Sequence, residues 1–308
     1  MLHLSIIIVN WNSKNVLRDC LCSIRKSVTN VEYEIIIVDN NSNDGSVEMV
    51  EAEFSECILI KNLQNLGYGK ANNQGIMKAK GKYVLILNPD TVVLSGTVEE
   101  MCRFLDENHS IGACGPKILD SDFKPFPPMI YDPTLWELFG KDTFLRKLFP
   151  KLCMPRYSFP LDRKMVQRLS GCCFLARKEA LTSAGFFNEE MFLFFEEADL
   201  FFRLRCEGWT VYYVPDLSIV HLHGKIVSLI SRFREEFLTR KSSLIYFRNR
   251  YGFIPSLFLK GFLISSYLLY LVTLEMLFLI SMKKLHKDKI FFYRDLLKLT
   301  SRSLLGLD

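Results

Sequence analysis

No two of the nine cysteines form a CxxC pair, so the chain lacks ligand spacing for a zinc ribbon or finger. Cys20/Cys22 and Cys172/Cys173 are too close for easy disulfides within each pair. Most cysteines lie beside apolar residues and read as reduced core thiols of a cytosolic protein. A secretory signal is missing: MLHLSIIIVNWN has no basic opening, and its apolar run is only strand length. GxGxxG does not follow the first strand and GxxxxGK[ST] is absent, which disfavours a nicotinamide enzyme or a P-loop NTPase. There is no basic motif with interleaved aromatics, so no nucleic-acid partner is expected. Internal repeats and low-complexity tracts are also lacking.

What is present is globular: 308 residues, 49% hydrophobic, 24% charged, net charge +5. That length suits one large domain or two small ones. LSIIIVN (Leu4–Asn10) reads as a buried parallel strand, and Ser13 as the cap of a helix to about Lys26. Further strands are read in YEIIIVD, CILIKN, KYVLILN, IGACGPKI and WTVYYVP. Helices are read from about Ser46, Gly69–Ala79, Gly96–Asn108 and Glu196–Cys206. Strands alternating with helices predict an α/β fold with a doubly wound, mostly parallel sheet. Ligands of such sheets bind at the carboxyl ends of the strands. Polar clusters occupy those ends: Asn10–Asn12, Asp39–Asp44 and Asn88–Asp90. The proline- and aromatic-rich stretch from Asp120 to Lys164 reads as a long irregular insert that shapes an acceptor site.

Each cluster has a plain reading beside a chemical one. Asp39 either forms an Asx turn or accepts from the imide N–H of a pyrimidine base. NLGYGKANNQG is either a loop opening a helix or a close backbone approach to phosphate, with Lys70 in reach. Asn88 and Asp90 either form a proline-cornered turn or supply oxygen ligands to a hard divalent cation shared with phosphates. In MFLFFEEADLFFRLR, Asp199 and Arg203 are four apart and can pair on a helix. That pairing leaves Glu197 unexplained, and a carboxylate beside aromatic walls suits a general base. HLHG, read as a loop, adds His221 and His223 as structural residues or metal ligands.

The ordered set SIIIVNWN, IIIVDNNSNDGS, NLGYGKANNQG, LNPD, SGCCFLARKEAL, FFEEADLFFRLRCEGW and HLHG resembles the inverting family 2 glycosyltransferases, in their bacterial rhamnosyltransferase branch, from Met1 to about Tyr251. The resemblance implies a GT-A (Rossmann-like) fold. It implies a domain over 1–251, with a nucleotide half over about 1–118 and an acceptor half over about 165–251. Nucleotide contacts carry over to Val9, Asn10, Asn12, Asp39, Asn65, Gly67, Lys70, Asn73 and Asn88. Glu197 falls at the catalytic base, with Glu196 and Asp199 beside it. Gly171 and Cys172 line the sugar and acceptor cleft. Asp90 and His221 fall at ligand positions for Mg2+ or Mn2+, with Asn88 where the family pattern has an aspartate. The implied reaction moves a sugar, rhamnose from dTDP-rhamnose, onto a hydroxyl of a lipid-linked or cell-surface glycan. Alternatives are a UDP-hexose donor or a non-catalytic subunit of a glycan-assembly complex. A sugar-phosphate nucleotidyltransferase shares the sheet type, but WNSKN is not its glycine-rich basic loop.

The last segment, 252–308, reads differently. Between Lys260 and Lys283 its only charge is Glu275. The run is long enough to span a bilayer, but a central Glu costs about 2.5–3.5 kcal/mol, and basic residues flank both ends. A helix or hairpin lying in the cytoplasmic leaflet is the expectation, ahead of a span or an oligomer contact.

Overall fold

The computed structural model describes residues 3–128, 130–140, 151, 158–222, 232–281 and 284–305. His223, Lys283 and part of the irregular insert lie outside the described residues. The chain forms two compact units: Met1–Asp132 with Arg156–Ile230, and Pro133–Pro155 with Ser231–Asp308.

The first unit is built on a sheet of nine strands among the described residues. They are β1 (Leu4–Asn10), β2 (Tyr33–Asp39), β3 (Ile58–Lys61), β4 (Tyr83–Leu87), β5 (Thr91–Val93), β6 (Ile111–Leu119), β7 (Lys164–Met165), β8 (Cys173–Arg177) and β9 (Thr210–His221). The order is β3-β2-β1-β4-β8-β6-β9-β5, with β7 also on β9. The β3-β2-β1-β4 half is wholly parallel, whereas β8, β5 and β7 join antiparallel. Helices α1 (Lys14–Ser27), α2 (Ser46–Glu53), α3 (Tyr68–Lys78), α4 (Thr97–Glu107), α6 (Lys178–Ser183) and α7 (Glu196–Cys206) belong to this unit, and α5 (Leu135–Gly140) to the second.

Side chains alternate across the pleat. Ile6 and Ile8 of β1 enter one apolar layer with Leu17, Leu21 and Ile24 of α1, while Ile7 and Val9 enter another with Ala71 and Ile76 of α3. Both faces are covered, which explains why the parallel strands are continuous apolar runs. Register then aligns the strand ends: Asn10 lies opposite Asp39, and Ile8 opposite Leu87. The polar residues that follow therefore share one edge of the sheet. β8 runs the other way, so its start, Cys173, sits opposite Leu87 and brings Gly171 and Cys172 to that edge.

Among the described residues Cys20, Cys102, Cys114, Cys172 and Cys173 are buried free thiols, but Cys22 and Cys206 are exposed. Burial pushes the Cys20 and Cys102 thiols up to about 12.

The second unit contains α8 (Arg232–Tyr251), α9 (Phe253–Ser281) and α10 (Lys284–Leu305). The sequence places a boundary after Tyr251. The compact units instead divide at Ile230/Ser231, because α8 packs on α9 and α10. Over Phe253–Ile280, α9 is long and apolar enough to cross a membrane, and only 22% of its most apolar window is buried.

Candidate active site

At the end of β2, Asp39 is buried and fully engaged. One oxygen accepts from Asn10 Nδ2 at 2.7 Å and the other from the Ser42 amide at 2.9 Å. Asn10 in turn donates to Ser42 Oγ at 3.0 Å and accepts from Ser13 Oγ at 2.5 Å. Asn12, in the left-handed region at φ +50, donates its amide to Ser42 Oγ and accepts from the Asn43 amide. Asp39 is thereby tied into the turn after β2 as part of a rigid polar corner. Lys14 and Asp44 line a small cavity with Asn12 and Ser13 beside it.

The second corner follows β4. Asp90 is buried, with Oδ1 3.0 Å from His221 Nε2. HLHG was expected to be a loop, but His221 is the last residue of β9 and pairs with Thr91 of β5. The short β5 was missed because three residues carry too little pattern. Burial alone lowers the His221 pKa, but its bonds with Asp90 and Cys172 outweigh burial and raise it to about 10. Imidazolium cannot ligate a cation, so an ion binding here would displace that proton. Among the described residues no three His, Cys, Asp or Glu side chains gather to hold a metal alone. Two donors fit an ion that takes its other positions from diphosphate and water, as Mg2+ does in phosphoryl sites.

The glycine-rich stretch does something its sequence did not disclose. Gly67 has φ +87, and a Cβ there would lie 2.5 Å from the Phe192 carbonyl oxygen. The close approach it permits is to the acidic segment, with the Tyr68 amide bonding that same oxygen at 2.8 Å. Gly67 also accepts from Asn40 Nδ2, and Asn65 accepts from its amide. Asn73 clasps Phe187 from both sides, donating to its carbonyl at 2.9 Å and accepting from its amide at 2.9 Å. The Asn73 amide is thus spent on joining α3 to the chain before α7. Lys70 pairs with Glu189 at 3.2 Å on the surface.

Phe194 and Phe195 both adopt left-handed backbone, at φ +68 and +67. Such geometry costs a non-glycine residue about 1–2 kcal/mol. It is held by the Tyr68–Phe192 bond and by the Asp199 amide donating to the Phe195 carbonyl. This turn launches α7 with three acids in its first turn. Asp199 is buried and pairs with Arg203 at 2.7 Å, and Arg203 also donates to the Ala184 and Phe186 carbonyls. That is the structural ion pair the four-residue spacing predicts. Glu196 is 5% exposed, and its Oε2 has no hydrogen-bond partner. Burial first, then the charge of Glu197, pushes its pKa well above the usual carboxylate range. Glu197 is less buried and faces Arg168 Nη1 at 3.4 Å. Sequence reasoning missed Arg168, although it stands only two residues before SGCCF.

Tyr68 joins the two regions. Its hydroxyl is 3.0 Å from Asn88 Oδ1 and 2.8 Å from the Gly171 carbonyl. A Cβ on Gly171 would lie 3.5 Å from Glu197 Cβ. The Asn88–Asp90 corner and the start of α7 are therefore parts of one site. It offers one carboxylate facing a guanidinium, a second carboxyl whose pKa burial raises, and an Asp–His corner.

The fold is that of the GT-A glycosyltransferases. GalNAc-T7, solved with UDP, GalNAc and Mn2+, superposes with a TM-score of 0.55 at 17% identity, over 72% of this chain and 44% of that one. Residues 1–349 of Staphylococcus aureus TarS, solved with UDP, give 0.52 at 17% identity, over 80% and 66%. Residues 5–181 match the glycosyl transferase family 2 profile, and the chain belongs to that family. It is 27% identical over 202 residues to the Mycobacterium tuberculosis N-acetylglucosaminyl-diphospho-decaprenol L-rhamnosyltransferase. That match covers 61% of this chain and 66% of the relative, just under two thirds of its length.

Proposed function

We propose that this chain is an inverting glycosyltransferase that moves rhamnose from dTDP-rhamnose to a hydroxyl of a lipid-linked or cell-surface glycan precursor. The observation that carries the reading is the Tyr68 bridge, which ties the Asn88–Asp90 corner to the Gly171–Glu197 contact. Glu197 takes the proton of the acceptor hydroxyl. The acceptor oxygen bonds to the anomeric carbon from one face as the nucleoside diphosphate leaves from the other. Arg168 orients Glu197, and Asp199 holds Arg203 and with it the turn before α7. Asp39 and Asn10 frame the base pocket. Mg2+ or Mn2+, held by Asp90 with His221, would neutralise charge developing on the diphosphate. The relative's name supports the rhamnosyl donor and a polyprenyl diphosphate acceptor.

The second unit supports a place on the cytoplasmic membrane face. α9 exposes Phe258, Leu268, Leu269, Val272, Met276 and Ile280, while Leu259, Leu263, Tyr267 and Leu271 are buried. Glu275, in the middle of the apolar run, pairs with Arg294 of α10 at 2.8 Å. α10 also exposes Lys289, Asp295, Lys298 and Arg302. A charged helix alongside favours α9 lying in the leaflet over crossing it.

The test is nucleotide release by the full chain with Mg2+ or Mn2+, across dTDP- and UDP-sugars, beside Glu197→Gln. Release of dTDP from dTDP-rhamnose, lowered about 10²–10⁴-fold in the variant, is expected. Release from a UDP-hexose alone would overturn the donor and keep the chemistry. Nucleotide binding without turnover, even with polyprenyl-linked acceptors, would point to a non-catalytic subunit.

A further inference from the structure

The second unit contains a cavity of about 870 Å³ lined by α8 and α10. Arg234 and Lys241 line it from α8, seven residues and about two turns apart on one face. Lys298 and Arg302 line it from α10, four apart on one face. Asp288 and Asp295 also line it, so four cations meet two carboxylates. Lys298 is only 3.8 Å from Asp295, and that pair is exposed. The apolar part of the lining includes Phe233 and Phe292, whose ring centroids are 5.2 Å apart. Phe291, also in the lining, is 54% exposed.

An aromatic-walled groove with excess positive charge, in the unit that carries an exposed apolar helix, matches one kind of ligand. It suits a group that is anionic at its head and apolar just below it. We propose that the α8/α10 groove binds the phosphodiester headgroup of an anionic glycerophospholipid of the bilayer. The proposal rests on the membrane reading above and sharpens it. The apolar face of α9 supplies insertion into any bilayer, and the groove supplies selectivity for negative headgroups. Each cation held against a bound anionic headgroup should contribute about five-fold in partitioning.

The experiment is co-sedimentation of the full chain with vesicles. One set is phosphatidylcholine alone, and the other contains phosphatidylglycerol. The wild-type chain is expected to prefer the anionic vesicles. Lys298→Gln should reduce that preference about five-fold, and Lys298→Gln/Arg302→Gln about thirty-fold. Lys289→Gln removes the same charge from α10 outside the groove and should change it less than two-fold. Equal losses for Lys298→Gln and Lys289→Gln would mean a diffuse surface field and overturn the groove. Displacement of the wild type by inorganic phosphate at constant ionic strength would assign the groove to a soluble anion and overturn the lipid. Nucleotide release in detergent, measured on the same variants, separates this proposal from the enzymatic one. Wild-type release with lost vesicle preference supports the groove. Normal vesicle preference with no release from any donor, even with polyprenyl-linked acceptors, leaves the groove standing and removes the transferase reading.

Discussion

Asp39 and Glu196 are both buried carboxylates, yet their surroundings differ. Asp39 accepts from a side-chain amide and a backbone amide. Glu196 has an oxygen without any partner. A buried carboxylate with donors is held in place by them and organises its surroundings. One without them has its pKa raised by burial. The first arrangement makes a rigid corner at the end of β2. The second leaves a carboxyl of raised pKa beside Glu197, which faces Arg168.

The largest effect expected from this contrast is on stability. Asp39→Ala strands Asn10 Nδ2 and the Ser42 amide, at about 1–3 kcal/mol for each unpaired donor. A net loss of about 2–4 kcal/mol lowers Tm by roughly 5–15 °C. Glu196→Gln removes no bond at Oε2 and should cost under about 1 kcal/mol. Thermal unfolding of both variants checks this. Equal drops would break the comparison.

How the two corners could be read from sequence follows the same line. Asp39 sits at the end of a continuous β-branched run, and Ser42 of its turn is three residues on, although its other partner, Asn10, is 29 away. Local pattern therefore disclosed it. The helix Glu196–Cys206 and its Asp199–Arg203 pair were also legible, because period and i,i+4 spacing are local. The partners of Glu197 and Tyr68 were not. Arg168 is 29 residues away, and the Tyr68–Gly171 bond spans 103. Gly67 looked like a phosphate loop because glycine signals close approach without naming what approaches. His221 was misplaced in a loop because β9 continues past Pro215, with a register shift opposite it between Pro116 and Lys117.

A smaller effect sharpens the contrast through pH. Burial raises the Glu196 pKa, so the native state keeps a proton that the unfolded chain releases above about pH 4.3. The stability from this group is complete below that pH and is lost as pH rises toward the folded value. The slope can reach about 1.4 kcal/mol per pH unit while only the unfolded chain titrates. Glu196→Gln has no proton to lose. Wild-type Tm should therefore fall relative to Glu196→Gln as the buffer moves from about pH 5 to about pH 7. Parallel curves would show that Glu196 is charged in the native state.

The smallest expected effect tests whether the two corners act as one site. Tyr68→Phe removes only a hydroxyl shared between Asn88 and the Gly171 carbonyl. The ring still packs edge-on against Phe187, with centroids 6.2 Å apart, so stability should change by no more than about 1 kcal/mol. If the hydroxyl merely fills space, nucleotide release will match the wild type. If it fixes the distance between the Asn88–Asp90 corner and Glu197, kcat should fall about five-fold while KM for the donor stays near its wild-type value. That split separates positioning from binding, because a lost donor contact would raise KM instead. A rise in KM with unchanged kcat would place Tyr68 with the Asp39 corner and leave Glu197 positioned by Arg168 alone.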